Sequence, residues 1–286
     1  MTVNEYKKRF LEVLPSFYDD MERLNLFYAA VESVMGFSRA YAVLNAEKEI
    51  TEAKQEELEH FLNRLLQHEP VQYITGKAFF FGYEFKVSPA TLIPRPETEE
   101  LAGWILEEMR VHPEKKWQVL DIGTGSGCIP ITLKKEFPMA EVTGIDFSYE
   151  ALEIARENAR ALNADVTFVQ QDILKTQSLE KYDIIVSNPP YVRNQEKYEM
   201  NQNVLDHEPH TALFVDDGDP LVFYRKISGL ASKSLAADGL LFFEINQYLG
   251  SEMETLVSGY FGEVELRKDF MQNDRMLKAS GRVKSL

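Results

Sequence analysis

The stretch VLDIGTGSGCIPITL, residues 119–133, joins an apolar β-forming run to a helix-forming run through a turn rich in glycine. Gly123, Gly125 and Gly127 stand at alternate positions in that turn. Glycine tolerates positive φ angles and lets a ligand approach the backbone closely. Ligands of parallel α/β sheets bind at such turns, beside the carboxyl ends of the strands. The stretch therefore predicts a ligand site rather than a bare chain reversal.

The sequence around this turn alternates between strand and helix patterns. Strands are predicted at WQVLDI (117–122), AEVTGID (140–146), DVTFVQ (165–170), YDIIVS (182–187) and GLLFFEI (239–245), with two more near Val264 and Met276. This alternation predicts an α/β domain with a mostly parallel sheet covered on both faces.

The first 70 residues have a different pattern. Three stripes of apolar residues at helical spacing predict a small helical bundle: Val3, Tyr6, Phe10 and Val13; Met21, Leu24, Tyr28, Val31 and Met35; and Leu58, Phe61, Leu62 and Leu65. KAFFFGYEFKV, residues 77–87, predicts a β-hairpin around Gly82. We expect a helical domain over residues 1–72, a hairpin linker over 73–93 and the α/β domain over 94–286.

Composition limits the classes of function. The chain of 286 residues has a formal net charge of −15, which disfavours binding to a polyanion such as nucleic acid. The single cysteine, Cys128, excludes an internal disulfide and a cysteine-based zinc cluster. Neither an apolar run long enough to span a membrane nor a signal-like segment is seen, so we expect a cytoplasmic protein with no membrane partner.

Three aspartates follow successive predicted strands. Asp121 precedes the glycine turn, Asp146 ends the second strand and Asp172 follows the third. A carboxylate at the second position can accept hydrogen bonds from ribose hydroxyls. The dinucleotide fingerprint fits only loosely, since Cys128 stands at its third glycine position, and the phosphate-binding P-loop pattern is absent. Each aspartate alone is commonly a cap or turn residue, but together they favour a nucleoside without phosphates, such as S-adenosylmethionine.

The fourth strand ends in an elbow made of Asn188, Pro189, Pro190 and Tyr191. The prolines fix their φ angles and have no N–H, so the Pro189 carbonyl is free to accept a hydrogen bond from a ligand. The Asn188 side-chain oxygen is a second acceptor, and the Tyr191 ring offers a face for stacking. The elbow predicts a site for a planar NH₂-bearing group, which a DNA base and a glutamine side chain both provide.

The glycine turn followed by NPPY resembles the amino-methyltransferases that use S-adenosylmethionine. The flanking segments IPRPETE (93–99), SNPPYV (187–192), HEPHTALF (207–214) and GLLFFEI resemble, more narrowly, the HemK/PrmC family of release-factor glutamine methyltransferases. The similarity extends from about Pro70 to near Ala279. It implies a seven-stranded Rossmann-like class I methyltransferase domain, preceded by a helical substrate-recognition domain and a hairpin.

The resemblance also implies the reaction and its residues. Members methylate the side-chain amide nitrogen of the glutamine in the Gly-Gly-Gln loop of class I release factors and release S-adenosylhomocysteine. The catalytic residues would be Asn188, Pro189 and Tyr191, and Pro190 would join them in binding the substrate, with Glu97 and Thr98 behind the pocket. The cofactor site would consist of Asp121, Gly123, Thr124, Gly125, Ser126, Gly127, Asp146, Asp172, Ile173 and Asn188.

The chain departs from the family pattern at four positions. Ile173 replaces a common aromatic residue, so ring stacking on adenine is not expected there. Asn246 and Gln272 stand where glycine is usual, and Pro220 replaces the last glycine of a common GDG. None of these positions lies in NPPY, so the predicted reaction is unaffected.

Three other functions are compatible with parts of the sequence. A ribosomal-protein glutamine methyltransferase or a DNA adenine or cytosine amino-methyltransferase would use the same elbow. A non-catalytic nucleoside-binding or RNA-chaperone module would keep the glycine turn without needing NPPY.

His207 and His210 lack a third ligand in the sequence, so no metal is expected.

Overall fold

The computed structural model describes residues 1–15 and 17–283. These residues fall into two compact units. One unit comprises residues 1–77 together with 201–207, and the other comprises residues 78–200 and the chain from Glu208 onward.

The first unit is helical. Its helices are α1 (Val3–Val13), α2 (Asp20–Met35), α3 (Arg39–Leu44), α4 (Glu52–Leu66), α5 (Val71–Thr75) and, much later in the chain, α9 (Gln202–His207). Helix α1 begins in a capping box in which the Thr2 hydroxyl accepts from the Glu5 N–H and the Glu5 carboxylate accepts from the Thr2 N–H. The short helices α3 and α5 were not among the predicted segments.

The core of this unit contains most of the predicted apolar stripes. Phe10 meets Phe27 edge to face, with ring centroids 5.7 Å apart, and the predicted face of α4 is fully buried. Val13 and Met21 are 44% and 62% exposed, contrary to the predicted stripes. Both lie in the terminal turn of a helix, where the core no longer covers the stripe.

The second unit begins with a hairpin and contains the main sheet. Its strands are β1 (Lys77–Phe80), β2 (Tyr83–Lys86), β3 (Gln118–Ile122), β4 (Glu141–Asp146), β5 (Thr167–Gln170), β6 (Tyr182–Ser187), β7 (Val192–Arg193), β8 (Phe214–Val215), β9 (Leu235–Glu244), β10 (Phe261–Lys268) and β11 (Asp274–Arg282). Its helices are α6 (Pro96–Val111), α7 (Cys128–Glu136), α8 (Tyr149–Ala161), α10 (His210–Leu213), α11 (Val222–Ser234) and α12 (Gly250–Ser258), with a 3₁₀ turn at Asn194–Glu199.

Seven strands form one sheet in the order β10-β11-β9-β6-β3-β4-β5. Strands β3, β4, β5, β6 and β9 run parallel, while β11 is antiparallel to both β9 and β10. The order reverses at β3, so the carboxyl ends of β3, β4 and β6 surround a topological switch point, where such sheets bind ligands. The predicted seven-stranded Rossmann-like fold class is confirmed.

Helices cover both faces of the sheet, as the alternating pattern predicts. Successive residues of a strand point to opposite faces, and β9 shows the result directly. Phe242 meets Trp104 of α6 on one face, with ring centroids 5.5 Å apart. Phe243 meets Tyr224 of α11 on the other face at 5.1 Å. All four side chains are buried, so these two layers hold the strand ends, and the residues beyond them, in fixed positions.

The hairpin β1–β2 packs against the rest of the second unit. Phe80 and Phe85 lie in the buried cluster that contains Trp104. The Asn158 side chain of α8 accepts from the Lys86 N–H at 2.7 Å and donates to the Lys86 carbonyl at 2.9 Å. These contacts fix β2 at its edge, just before the segment that leads to α6.

Candidate active site

A cavity of about 590 Å³ lies at the carboxyl ends of β3, β4 and β6. Its wall is made by the segments that follow those strands and by residues 90–95, which precede α6. Apolar side chains from α7 and α11, including Ile129, Phe223 and Ile227, complete the lining. The cavity therefore occupies the switch point of the sheet, where the sequence pattern predicts a ligand.

The glycine turn has a fixed conformation beside this cavity. Gly123, Gly125 and Gly127 all have positive φ angles. The N–H groups of Gly123 and Thr124 both donate to the Ile145 carbonyl, at 2.9 and 3.0 Å. At Gly127 a Cβ atom would stand 3.0 Å from the Ile131 side chain, so both the φ angle and the space favour glycine there.

Asp146 binds the glycine turn to the end of β4. One carboxylate oxygen accepts from the Gly125 N–H and the other from the Ser148 N–H, each at 2.9 Å. Burial raises the pKa of Asp146, while these backbone donors oppose the shift. Each carboxylate oxygen can accept more than one hydrogen bond, and Asp146 lines the cavity. It therefore has acceptor capacity left for a hydroxyl-bearing ligand.

Asp172 and Ile173 lie at another part of the wall. Both line the cavity, but Asp172 also pairs with the Lys175 ammonium at 2.9 Å, which holds the pKa of that carboxyl low. Ile173 is buried in the apolar cluster under α11. Phe147, which follows Asp146, also lines the cavity and is 53% exposed, so an aromatic ring is present although Ile173 is not one.

Asp121 is placed differently from the other predicted cofactor residues. It is 1% exposed near the end of β3 and does not line the cavity. Gly127 does not line the cavity either. Neither oxygen of the Asp121 carboxylate accepts a hydrogen bond from any residue that the structure describes. Burial raises the pKa of Asp121 to about 7; the nearby Thr124 side chain opposes the shift, and the Asp146 charge adds to it. Asp121 is therefore a buried acidic group next to the glycine turn, with no hydrogen bond of standard geometry to a described residue.

The elbow after β6 opens into the same cavity. Asn188, Pro189 and Pro190 line it. The Asn188 side-chain nitrogen donates to the Thr98 hydroxyl at 3.2 Å, and that hydroxyl donates to a carboxylate oxygen of Glu244 at 2.6 Å. The Asn188 side-chain oxygen accepts no hydrogen bond from the described part of the chain, so it is available to a ligand.

Tyr191 lies outside the cavity lining. Its hydroxyl donates to the second carboxylate oxygen of Glu244 at 3.0 Å, and its ring packs against the apolar cluster under α11. Burial and the Glu244 charge raise the pKa of Tyr191 well above its ordinary value, so the phenol stays protonated. The Asn246 side chain donates to the Tyr191 carbonyl at 3.0 Å and to Glu196 at 2.9 Å, which gives this departure from the family pattern a structural role.

Two buried glutamates at the site were not predicted to have a function. Glu244 ends the apolar strand β9 and is 1% exposed. Glu208 is 3% exposed and pairs with Arg95, while it accepts from the Ile93 N–H at 3.2 Å. Glu208 thereby joins the segments IPRPETE and HEPHTALF, which both contribute to the cavity wall. The available signal was a carboxylate inside or beside an apolar run, which requires a buried partner.

The two histidines of HEPHTALF have separate contacts. His207 bonds to the Gln67 carbonyl at 2.9 Å within the helical unit, and His210 meets the Phe214 ring edge to face at 5.2 Å. Among residues 1–15 and 17–283 there is no group of three or more His, Cys, Asp or Glu side chains that could hold a metal ion. Over the same residues, no helix is both long and apolar enough to cross a membrane.

Fold and site together define a methyltransferase of the class I α/β type. A family model described as "Methyltransferase small domain" matches residues 102–218, and one described as "PrmC N-terminal domain" matches residues 13–76. The chain is 46% identical to a release factor glutamine methyltransferase of Flavobacterium psychrophilum, over 99% of this chain and 100% of that protein. It belongs to the release factor glutamine methyltransferase family, which confirms the resemblance seen in the sequence.

One further relative has the same name, and one solved structure shares the fold. A release factor glutamine methyltransferase of Bacteroides thetaiotaomicron is 49% identical over 81% of this chain and 83% of that protein. A solved 16S rRNA methyltransferase of T. Thermophilus, in complex with AdoMet and guanosine, has a TM-score of 0.52 and 21% identity. It covers 72% of this chain and 50% of that chain, and at this identity it shows the shared fold alone.

Proposed function

We propose that this protein transfers a methyl group from S-adenosylmethionine to the side-chain amide nitrogen of a glutamine in a protein substrate. The substrate would be the Gly-Gly-Gln loop of class I peptide chain release factors, and the second product S-adenosylhomocysteine. The observation that carries this proposal is that the NPPY elbow and the glycine turn open into one cavity. Family membership narrows the acceptor, because the relatives' names specify release factor glutamine.

The residues around the cavity fit the cofactor. Asp146 has acceptor capacity for ribose hydroxyls, and Phe147 and Ile173 offer apolar surface to a base. The Asp121 carboxylate has no partner among the described residues, which suits a ligand that carries positive charge. When bound, S-adenosylmethionine supplies an electrophilic methyl group on a sulfonium. We assign the cofactor contacts to Gly123, Thr124, Gly125, Ser126, Asp146, Asp172, Ile173 and Asn188. Gly127 and Asp121 do not line the cavity, and we propose that they act indirectly, Gly127 through the shape of the turn and Asp121 through its charge.

The elbow would orient the glutamine amide. An amide nitrogen is a weak nucleophile because its lone pair is delocalised, so its position and hydrogen bonding decide the rate. The Asn188 side-chain oxygen and the Pro189 carbonyl would accept the two N–H groups of the amide and fix the direction of the nitrogen. Catalysis of this kind is mainly positioning, and holding the reacting groups correctly is worth up to about 7–11 kcal/mol.

Pro190 and Tyr191 would complete the amide site. Pro190 lines the cavity next to Pro189, and the hydroxyl of Tyr191 is anchored on Glu244. Tyr191 does not line the cavity itself, and its anchored hydroxyl limits rotation of the ring, so we propose that the ring borders the glutamine amide from beside the cavity. Pro189 lacks an N–H that would compete with the substrate for acceptors.

The remaining parts of the proposal concern partners and location. We assign substrate recognition to the helical region 1–72, a connecting role to the hairpin region 73–93 and catalysis to residues 94–286. The net charge of −15 supports a protein partner over direct contact with nucleic acid. Translation factors act in the cytoplasm, and we place the protein there.

The test is methyl transfer from labelled S-adenosylmethionine to four acceptors: a class I release factor, its Gln→Ala loop variant, ribosomal proteins and duplex DNA. We expect label only in the release factor that keeps its loop glutamine. Label in DNA and not in the release factor would overturn the proposal, and label in a ribosomal protein instead would redirect it.

A variant pair assigns the activity to the elbow. Asn188→Ala should lower the transfer rate by about 10²-fold or more because the amide loses one of two acceptors. Asn201→Ala is the matched control, since Asn201 is exposed. Near-normal transfer by the Asn188 variant would contradict the assigned role.

A further inference from the structure

Glu244 connects two residues of the elbow that are not otherwise joined. Its Oε2 accepts from the Thr98 hydroxyl at 2.6 Å, and Thr98 in turn accepts from the Asn188 Nδ2 at 3.2 Å. Its Oε1 accepts from the Tyr191 hydroxyl at 3.0 Å. Asn188 and Tyr191, which flank the two prolines, are therefore held by one carboxylate at the end of β9.

The Glu244 carboxylate sets the direction of the hydrogen bonds that link it through Thr98 to Asn188. Burial raises the pKa of Glu244, whereas the Thr98 and Tyr191 hydroxyls and the Arg275 charge oppose that shift by stabilising the ionised form. An ionised carboxylate can only accept, so the single hydroxyl proton of Thr98 points at Glu244. The Thr98 oxygen then faces Asn188 with a lone pair, and only the NH₂ end of the Asn188 amide can meet it. The two ends of an amide are told apart only by such a network. The Asn188 oxygen is consequently left for the cavity.

Burying the Glu244 carboxylate costs free energy, because a buried charge loses its hydration. Glu244 follows Phe242 and Phe243 and precedes Ile245, and all three are fully buried. Among the described residues no cation forms an ion pair with its carboxylate. The nearby Arg275 pairs with Asp269 instead, at 3.2 Å. A neutral glutamine would fill similar space without the penalty of a buried charge. A glutamine, however, has only one acceptor oxygen, and its NH₂ group donates, whereas both oxygens of an ionised glutamate accept.

We propose that Glu244 is a positioning residue that fixes the donor–acceptor polarity of the elbow, so that Asn188 presents its oxygen and the site takes an NH₂-bearing side chain. The proposal rests on the proposed glutamine methylation and explains how the site selects glutamine. A glutamate side chain, which has the same shape and no N–H, would meet the Asn188 oxygen with its own oxygens and be rejected.

Glu244→Gln reverses this polarity. The new side chain can donate its NH₂ to Thr98, the Thr98 hydroxyl can then donate to the Asn188 oxygen, and the Asn188 NH₂ would turn towards the cavity. The variant should methylate a release factor at least about 10²-fold more slowly, as expected when a positioning acceptor is lost. Its affinity for S-adenosylmethionine should stay within about twofold. The Glu244→Gln enzyme should bind a Gln→Glu release-factor variant more tightly than the wild-type enzyme does.

The experiment measures single-turnover transfer rates, KM and cofactor affinity for Glu244→Gln, Thr98→Val, Thr98→Ser and the double variant Glu244→Gln/Thr98→Val. Thr98→Ser keeps the hydroxyl and should retain most of the rate, whereas Thr98→Val should not. In the Thr98→Val background Glu244→Gln should change the rate little, because the connection is already broken. Glu254→Gln, on the exposed face of α12, is the matched control for charge removal.

Two results would overturn the proposal: wild-type rates in Glu244→Gln, or an undiminished effect of Glu244→Gln in the Thr98→Val background. If Glu244→Gln does not fold, the contrast between Thr98→Val and Thr98→Ser decides. If the wild-type protein transfers no methyl to a release factor, the proposed function fails instead. The side-chain amide resonances of Asn188 in ¹⁵N-labelled protein still test the connection in that case: they should shift in Thr98→Val and stay in Thr98→Ser, and no shift would refute it.

Discussion

Replacing Asp121 by asparagine should remove a large part of the pH dependence of folding stability. Asp121 is 1% exposed and neither of its oxygens has a partner among the described residues. Burial raises its pKa from the ordinary 3.8 to about 7, so the native state binds this proton more tightly than the unfolded chain does. Stability from this group is therefore present at low pH and is lost as the pH rises towards 7.

The magnitude follows from the width of that window. Between pH 5 and pH 7 the carboxyl is protonated in the native state and ionised in the unfolded chain. Each pH unit in that range is worth about 1.4 kcal/mol, and the loss ends near pH 7, so the wild-type protein should lose about 3 kcal/mol through Asp121 between pH 5 and pH 8. Asp121→Asn should lack this contribution, whatever pH-independent cost the substitution carries.

The assay is urea unfolding of the cofactor-free protein at pH 5 and pH 8, for wild type and Asp121→Asn. Burial also raises the pKa of Asp146 and Glu244, so both proteins should lose some stability at the higher pH. The difference between the two losses isolates Asp121. Equal losses in the two proteins would refute the assignment of an ionisable, unpartnered carboxyl at this position.

Three further predictions test local features of the fold. Gln272 has a φ of 67°, so Gln272→Gly should raise the free energy of unfolding by about 1 kcal/mol; an unchanged urea midpoint would argue against strain in that turn. Burial raises the pKa of the Cys128 thiol to about 12, so a thiol reagent at pH 8 should label this cavity-lining cysteine much more slowly in the native than in the unfolded protein, and equal rates would contradict the raised pKa. A Cβ at Gly144 would stand 2.7 Å from the Thr124 hydroxyl. Gly144→Ala should therefore displace the glycine turn and weaken cofactor binding about tenfold or more, while Gly103→Ala, where a Cβ meets nothing within 4 Å, should bind normally; equal affinities would show that the turn tolerates the methyl group.

The layered α/β fold was predictable because its signals are local. Each parallel strand is an apolar run of a few residues, and the helix that follows has its own stripe, as in YDIIVS and in α8. Pro96 correctly marked the first turn of α6. The start of β9 was not predictable in the same way. The strand begins at Leu235, before the segment Ala236–Gly239 that resembles a turn, and its pairing with β6 is irregular between Tyr182 and Ile184.

The network around the elbow was not visible in the sequence because its members are far apart along the chain. Thr98 and Glu244 are separated by 146 positions, and no periodicity links a helix start to the end of a distant strand. The sequence motifs placed Asn188 beside the glycine turn, as the shared cavity shows. They did not show that Tyr191 is anchored by Glu244, because ring orientation depends on packing against residues of α11 and β9.

Glutamine methylation is tested most directly by tandem mass spectrometry of the release factor after incubation with this protein and S-adenosylmethionine. The peptide that contains the Gly-Gly-Gln loop should gain the mass of one methyl group, localised to the glutamine side chain, and the Asn188→Ala variant should leave it unmodified. An unmodified loop glutamine after incubation with active, cofactor-binding wild-type protein would contradict the proposed function, as would a methyl group found on any other residue of the release factor.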